Sequence, residues 1–299
     1  MVESVANADP YRAVRARVLE SAPVVLVIGS VDTGKTSLSK QLLVDAIEAG
    51  KTAAFIDADV ASATVGPAAC VGLKILRSED DVASLATPDA LRFVGSTEPN
   101  GVVLPHVVAA SSLAVRAKAE ADIVVVDTSS VVDGVVGQTL KYHLAEMIEP
   151  DLVIAMQHGN ELDPAIAMLR RFFSVRIAEV PPLPDLIPSS PVERAQQRAS
   201  AFHHELGDTP PRWRVQTTVF APTLPAGFDV SRLDGMLVGV QDEHGACLGL
   251  GVLEHLNGVV KVATRHGDAM RGLRLGSIRV DLGTFATTRV RLRELIFGV

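Results

Sequence analysis

Aromatic residues are scarce in this chain: they make up 4% of its 299 residues, with one Trp and two Tyr. That limits the stacking platforms on which exposed nucleobases are held. Cysteine is scarcer still. Cys70 and Cys247 stand far apart with no C-x-x-C spacing, which argues against a disulfide framework and suits a reducing compartment. No apolar run approaches the roughly 20 residues that a membrane span needs; the longest, such as 24–28 and 123–126, have strand length. The first residues are acidic and polar without an apolar segment, so no signal peptide is expected. These absences describe a soluble, cytoplasmic protein. Among the eight histidines only His203 and His204 are adjacent, and none has metal-ligand spacing. An Asn-Lys-x-Asp run that reads guanine is missing, as are internal repeats.

What is present is a globular composition, 47% hydrophobic and 21% charged. The net charge of −7 rules out a general polycation. The charge is uneven, however: residues 259–299 hold eight Lys/Arg against three Asp/Glu, a segment of +5 that leaves −12 for residues 1–258. Such a face could track a phosphate backbone, or it could be a solvated surface balancing an acidic partner domain.

The pattern along the chain predicts a helix over 8–20 and then a continuous apolar run at 24–28, as in a strand buried on both faces of a parallel sheet. A helical period follows over 35–49 (Leu38, Leu42, Leu43, Ala46, Ile47), closed by Gly50. Further strands are predicted at 52–56, 91–94, 123–126, 152–156 and 175–180, with helices near 105–119, 136–147 and 162–172. Strands alternating with helices imply an α/β fold with a mainly parallel sheet and flanking helices. Residues 181–191 hold five of the seventeen prolines, and a helix then runs to about Leu206. The Gly-Asp-Thr-Pro-Pro run at 207–211 reads as a domain boundary. Beyond it, short β-like runs (215–220, 236–241, 247–253, 259–262, 277–280, 288–292) predict a small β-rich domain. The expected division is therefore an N-terminal helix or extension (1–22), a P-loop domain (23–208) and a β-rich C-terminal domain (209–299).

Gly29, Ser30, Val31, Asp32, Thr33, Gly34, Lys35 and Thr36 fit G-x-x-x-x-G-K-[ST]. The glycines let the backbone curl so that its N–H groups face phosphates, and the following helix, which Ser37 continues, adds its positive end. Lys35 is expected to reach the β- and γ-phosphates of ATP, and Thr36 to give a hydroxyl to Mg²⁺. A β-run before the motif and an amphipathic helix after it supply the context that the motif needs. Asp57 and Asp59 end the second strand and Asp127 a later one, which puts all three at the carboxyl edge of a parallel sheet. Such an acid can hold Mg²⁺ or accept a proton from an attacking hydroxyl; Asp57 and Asp127 are the candidate metal residues.

Four segments in this order resemble the polynucleotide 5′-hydroxyl kinase family that includes the RNA kinase of the pre-mRNA cleavage complex and the pre-ribosomal RNA kinases. They are the P-loop, Ile56-Asp57-Ala58-Asp59-Val60 with Val65-Gly66-Pro67, the clasp-like Phe93-Val94-Gly95-Ser96-Thr97-Glu98-Pro99, and Val192-Glu193-Arg194-Ala195-Gln196-Gln197-Arg198. The last is similar to the family's R-x-x-x-R lid, placing a lid near 191–206. The resemblance implies transfer of the ATP γ-phosphate to the 5′-hydroxyl of RNA or DNA. It gives Lys35, Asp59, Arg194 and Arg198 catalytic roles and Ser96 and Thr97 contact with the substrate. The chain departs from the family's Gly-Gln after D-x-D-V, having Ala61 and Ser62. It also lacks an aromatic in the run Thr128-Ser129-Ser130-Val131. Two alternatives stay open. One is a P-loop ATPase or GTPase of the positioning or metallocentre-maturation type; there Gln157 is a candidate base contact. The other is an ATP-binding scaffold in nucleic-acid processing.

Overall fold

The computed structural model describes residues 10–184 and 186–298. Residues 8 and 9 of the predicted first helix, and with them residues 1–9 of the expected 1–22 extension, lie outside them. The elements in chain order are α1 (Pro10–Ser21), β1 (Val24–Gly29), α2 (Lys35–Glu48), β2 (Ala53–Ala58), β3 (Cys70–Leu76), α3 (Glu79–Ala83), β4 (Ala90–Phe93) and α4 (Val103–Glu120). Then come β5 (Ile123–Thr128), α5 (Gly134–Ile148), β6 (Leu152–Met156), α6 (Asp163–Phe172), β7 (Arg176–Val180) and α7 (Pro191–Leu206). The remainder is β8 (Arg212–Arg214), β9 (Phe220–Ala221), β10 (Met236–Gln241), β11 (Cys247–Leu256), β12 (Val259–Ala263), β13 (Gly272–Val280), β14 (Thr287–Arg289) and α8 (Leu292–Phe297). Two compact units interleave along the chain. The first holds Met1–Ala58, Leu73–Thr87 and Ala110–Pro188, the second Asp59–Gly72, Pro88–Ala109 and Ser189–Val299.

In the first unit the strand order is β3-β2-β5-β1-β6-β7. β1, β2, β5 and β6 are buried along their whole length. That is why they read as unbroken apolar runs instead of alternating ones: helices cover both faces. β1 lies between β5 and β6, in parallel with both. The chain therefore leaves the centre of the sheet at its carboxyl edge, where ligands of such sheets are held. α2 turns Leu38, Leu42, Leu43 and Ala46 inward. It ends as the sequence suggests: Gly50 adopts φ +72°, and the N–H groups of Gly50 and Lys51 close on the carbonyls of Ile47 and Ala46. α1 is fastened to α2 by the Arg15–Asp45 pair, whose contact is bidentate at 2.5 Å. Burial raises the Asp45 carboxyl, but Arg15 and Gln41 outweigh it and hold the group below its ordinary range.

The second unit is built on a mainly antiparallel sheet, β14-β13-β10-β11-β12-β8, with β9 pairing in parallel with β13. Apolar clusters cover both faces. Leu237, Leu250, Val252 and Ile278 join Phe93, Phe202 and Leu206 on one side. Val238, Val240, Leu253, Val262 and Leu273 join Leu295 and Ile296 on the other. Alternate residues of β10 thus serve opposite cores. Cys70 and Cys247 meet in the first cluster, 177 positions apart in the chain; the hydrogen bond between the two thiols, together with burial, raises Cys70 well above its ordinary value.

The β-rich region expected at 209–299 is present, but the compact units do not follow the linear division near 208. Phe93 and Gly95, expected within the 23–208 domain, pack on the C-terminal strands instead. A side chain at Gly239 would lie 2.4 Å from the Phe93 ring, and one at Gly95 2.7 Å from the Gly276 backbone. Only glycine permits either approach. β3 was not expected, because Gly72 and Lys74 interrupt its apolar run, yet all seven of its residues are buried. The expected strand at 215–220 is a 3₁₀ turn (Thr217–Val219) with β9 beginning at Phe220.

The Phe93–Gly239 contact makes a double-mutant test. Gly239→Ala should cost about 1–3 kcal/mol by overpacking and Phe93→Ala about 3–5 kcal/mol through its cavity. The double variant should lose less than the sum, because the cavity accommodates the added methyl. Denaturant titration of the four proteins measures the coupling.

Candidate active site

The P-loop, residues 29–36, crosses from β1 to α2 in the first unit. Asp32 has φ +56° and Gly34 φ +90°, two left-handed residues flanking Thr33. Asp32 is one of the few side-chain types that tolerate this region. Such alternation turns successive N–H groups toward one concave face. Gly29 leaves no room for a side chain: a Cβ there would sit 2.7 Å from the Met156 carbonyl and 2.7 Å from Thr33 Oγ1. No side chain caps α2, so its first N–H groups stay available to an anion. Ser37, in its first turn, is exposed. Lys35 is buried, its ammonium donating to the Ser30 carbonyl at 2.8 Å. The loop thus has the concave backbone geometry that a phosphate cradle needs.

Contacts from distant parts of the unit hold that loop in place. The Ser30 hydroxyl donates to Glu161 at 2.7 Å, and the N–H groups of His158 and Gly159 donate to the same carboxylate at 2.8 and 3.0 Å. Burial works to raise the Glu161 carboxyl, but these donors hold it at about 2. The N–H of Leu183 donates to the Thr33 carbonyl at 3.0 Å. The carbonyls just before it, of Pro181 and Pro182, accept from the Tyr11 hydroxyl at 2.6 and 2.7 Å. The proline-rich segment after β7 is therefore pinned at both points.

Asp57 and Asp127 are register partners on the neighbouring strands β2 and β5, and both are buried. The Thr36 hydroxyl donates to Asp127 Oδ2 at 2.5 Å. These two carboxylates and a hydroxyl form a hard, oxygen-only donor set of the sort that suits Mg²⁺ shared with phosphate oxygens. Beside them Lys141 of α5 is fully buried, its ammonium donating to Thr128 Oγ1 at 2.9 Å and to the Ser129 carbonyl at 2.6 Å. Thr128 in turn donates to the Val27 carbonyl at 2.8 Å. This network locks the end of β5 against β1.

Two of these groups escape sequence reasoning. Glu161 carries no local signal, since its partner Ser30 is 131 positions away. Lys141 does leave a trace: it is the one lysine on the face of α5 that otherwise buries Leu140, Leu144, Ala145 and Ile148. Gln157, a candidate base contact, is engaged locally. It accepts from the Leu162 N–H at 2.9 Å and donates to Asp163 at 3.2 Å.

The second unit carries the other predicted residues. Asp59 accepts the Ala61 N–H at 3.1 Å and the Ser62 hydroxyl at 3.0 Å. The two residues that replace Gly-Gln thus orient the carboxylate through a backbone N–H and a short side chain. Ser96 and Thr97 are buried, and Ser96 Oγ accepts the Glu98 N–H at 3.1 Å. Arg194 and Arg198 lie one turn apart on α7, hence on one side of it. Ser190 and Glu193 close a capping box at the start of that helix, with Pro191 in its first turn. Arg194 also donates to the Ser189 carbonyl.

Comparison with known proteins bears on the chain as a whole. The family model described as the mRNA cleavage and polyadenylation factor CLP1 P-loop matches residues 29–204, more than half of the chain. A polyribonucleotide 5′-hydroxyl-kinase of Pyrococcus horikoshii is 28% identical, over 88% of this chain and 87% of its own length. A protein of the same name from Thermococcus kodakarensis is 28% identical, over 86% and 88%. The solved structure of the wild-type Clp1p–Pcf11p complex matches with a TM-score of 0.68 at 13% identity, covering 90% of this chain and 77% of that one. That likeness speaks to the fold alone. Among the described residues no helix is long and apolar enough to cross a membrane.

The Glu161 bridge predicts a pH-dependent difference. Its folded value lies below its ordinary 4.5, so its contribution is complete above about pH 4.5 and disappears as the pH falls through about 2. Glu161→Gln should therefore destabilise the protein at pH 7 by about 1–3 kcal/mol, with a gap to wild type that narrows as acid is added. Melting curves of both proteins across pH check this; a gap independent of pH would contradict the charged bridge.

Proposed function

The chain belongs to the mRNA cleavage and polyadenylation factor CLP1 P-loop family, and from that premise we propose that it transfers the γ-phosphate of ATP to the 5′-hydroxyl end of a polynucleotide. The names of its relatives favour RNA as the acceptor. The observation that carries the reading is Asp59, two residues beyond Asp57 in the chain and oriented by its own loop, in a chain whose P-loop is intact. A second carboxylate oriented by its own loop is what deprotonating an acceptor hydroxyl requires.

The chemistry follows from the residues. The P-loop N–H groups of residues 29–36 and the start of α2 hold the triphosphate, and Lys35 moves from the Ser30 carbonyl to its β/γ oxygens. Thr36, Asp127 and Asp57 would hold Mg²⁺, which when bound would supply neutralisation of the charge that builds on those oxygens. Asp59 accepts the proton of the 5′-hydroxyl as its oxygen bonds to the γ-phosphorus; the bond to the bridging oxygen breaks and ADP leaves. The Ala61 and Ser62 contacts fix the rotamer from which Asp59 acts. Arg194 and Arg198 stabilise the transferring group from the lid, and the clasp around Ser96 and Thr97 lines the path of the acceptor. In these functional terms residues 23–208 form the kinase domain, with its lid near 191–206, and residues 209–299 assist acceptor binding.

Two oligonucleotides of one sequence, one with a 5′-hydroxyl and one with a 5′-phosphate, test the proposal. ADP should form at a substantial rate only with the first. Asp59→Asn should lower kcat by about 10²–10⁴-fold with ATP affinity little changed, and Lys35→Ala should lower it by at least about 10². Equal ADP release with both oligonucleotides, or full activity in Asp59→Asn, would sink it.

A further inference from the structure

We infer that an arginine-lined groove in the second unit holds the phosphates of the acceptor strand behind its 5′ end; this rests on the kinase reading for the identity of the strand. The groove has a volume of about 470 Å³ and is lined by Arg274, Arg289, Arg291 and Arg293 beside Asn100 and Val94, with no acidic residue among the described residues of its wall. Four of the eight basic residues of the positive segment 259–299 thus line one groove, on a chain whose net charge is −7.

Three of the four arginines are positioned without being used up. Arg289 donates through Nη2 to the Asn100 carbonyl at 3.0 Å, which anchors it while other N–H groups of its fork remain. Arg274 lies over the Phe93 ring, 6.0 Å from its centroid, a contact that steadies the guanidinium and leaves its edge free to donate. Arg291 pairs with Glu294 at 2.7 Å, but both side chains are more than half exposed, so the pair is weak and exchangeable for a phosphate. Arg293 is exposed. The segment bearing Arg289 and Arg291 is extended, ending at Arg291 with φ −86° and ψ 101°. It is tied to β13 by the Val290 N–H on the Ser277 carbonyl at 2.8 Å. Residues i and i+2 of extended backbone share a side about 6.6 Å apart, comparable to the step between consecutive phosphates of an extended single strand.

The groove also adjoins the clasp through chain continuity. Val94 lies in the clasp segment and Asn100 directly follows it, so a strand whose 5′ end reaches the clasp has this wall next in line. Among the described residues no aromatic lines the groove. Binding there is therefore electrostatic and indifferent to base sequence.

Arg289→Glu/Arg293→Glu, with Arg289→Lys/Arg293→Lys beside it, tests this in the full chain. The affinities of a 3′-fluorescent trinucleotide and of a strand of roughly 15 nucleotides, both with 5′-hydroxyls, are read by anisotropy between about 50 and 200 mM salt. Wild type should favour the longer strand. The Glu variant should weaken its binding at least about tenfold, collapse the ratio between the two lengths toward one, and flatten the slope of log K against log salt by about 1.4 or more, at roughly 0.7 per lost phosphate contact. The Lys variant should retain most of the ratio. Unchanged length ratio and salt slope in a folded Glu variant would overturn the inference and leave the groove to an acidic protein partner. Failure of wild type to phosphorylate RNA would count against the kinase reading alone, since the binding measurement does not depend on turnover.

Discussion

Backbone N–H groups can hold a triphosphate only if the chain comes close to it without side chains in the way, and the first unit is organised around that need. Gly29 is wedged between the Met156 carbonyl and Thr33. The loop that follows is then held from outside by Glu161 through Ser30 and by Leu183 through Thr33. Even α1 takes part, since Tyr11 fixes the carbonyls just before Leu183. A parallel sheet with β1 at its centre provides the rigid base from which this approach is possible.

The same logic of preorganisation governs the charged groups. Asp57 and Asp127 ride on buried neighbouring strands, so their separation is set by the sheet and not by a loop. Lys141 secures the end of β5 with hydrogen bonds to Thr128 and Ser129, and buried charge is tolerated there only because it is so engaged. Asp59 stands off the sheet and is oriented by its own loop. The replacement of Gly-Gln by Ala-Ser therefore does not leave the carboxylate adrift: a backbone N–H serves whatever residue occupies position 61, and the Ser62 hydroxyl adds a second donor.

Much of this was legible in the residues alone, for physical reasons. Continuous apolar runs identified the strands of the parallel sheet because burial on both faces erases alternation, and the glycine spacing of the P-loop is itself the constraint. β3 was hidden because Gly72 and Lys74 break its apolar run; yet a side chain at Gly72 would lie 2.2 Å from the Val65 carbonyl, so the glycine is required. Glu161 was hidden because its role depends on a partner brought near by the fold. The interleaving of the units was hidden too: nothing local to Phe93 or Gly239 announces that one fills the space vacated by the other. Lys141 could have been noticed, as a lone charge on an apolar helix face.

The destination of the γ-phosphate tests the central claim most directly. A 5′-hydroxyl oligoribonucleotide would be incubated with the protein, Mg²⁺ and γ-labelled ATP, then hydrolysed to nucleotides. The account predicts label in the 5′-terminal residue alone, recovered as a nucleoside bisphosphate. Label found only as free phosphate, with the RNA end unmodified, would contradict it and make the chain an ATPase instead of a kinase.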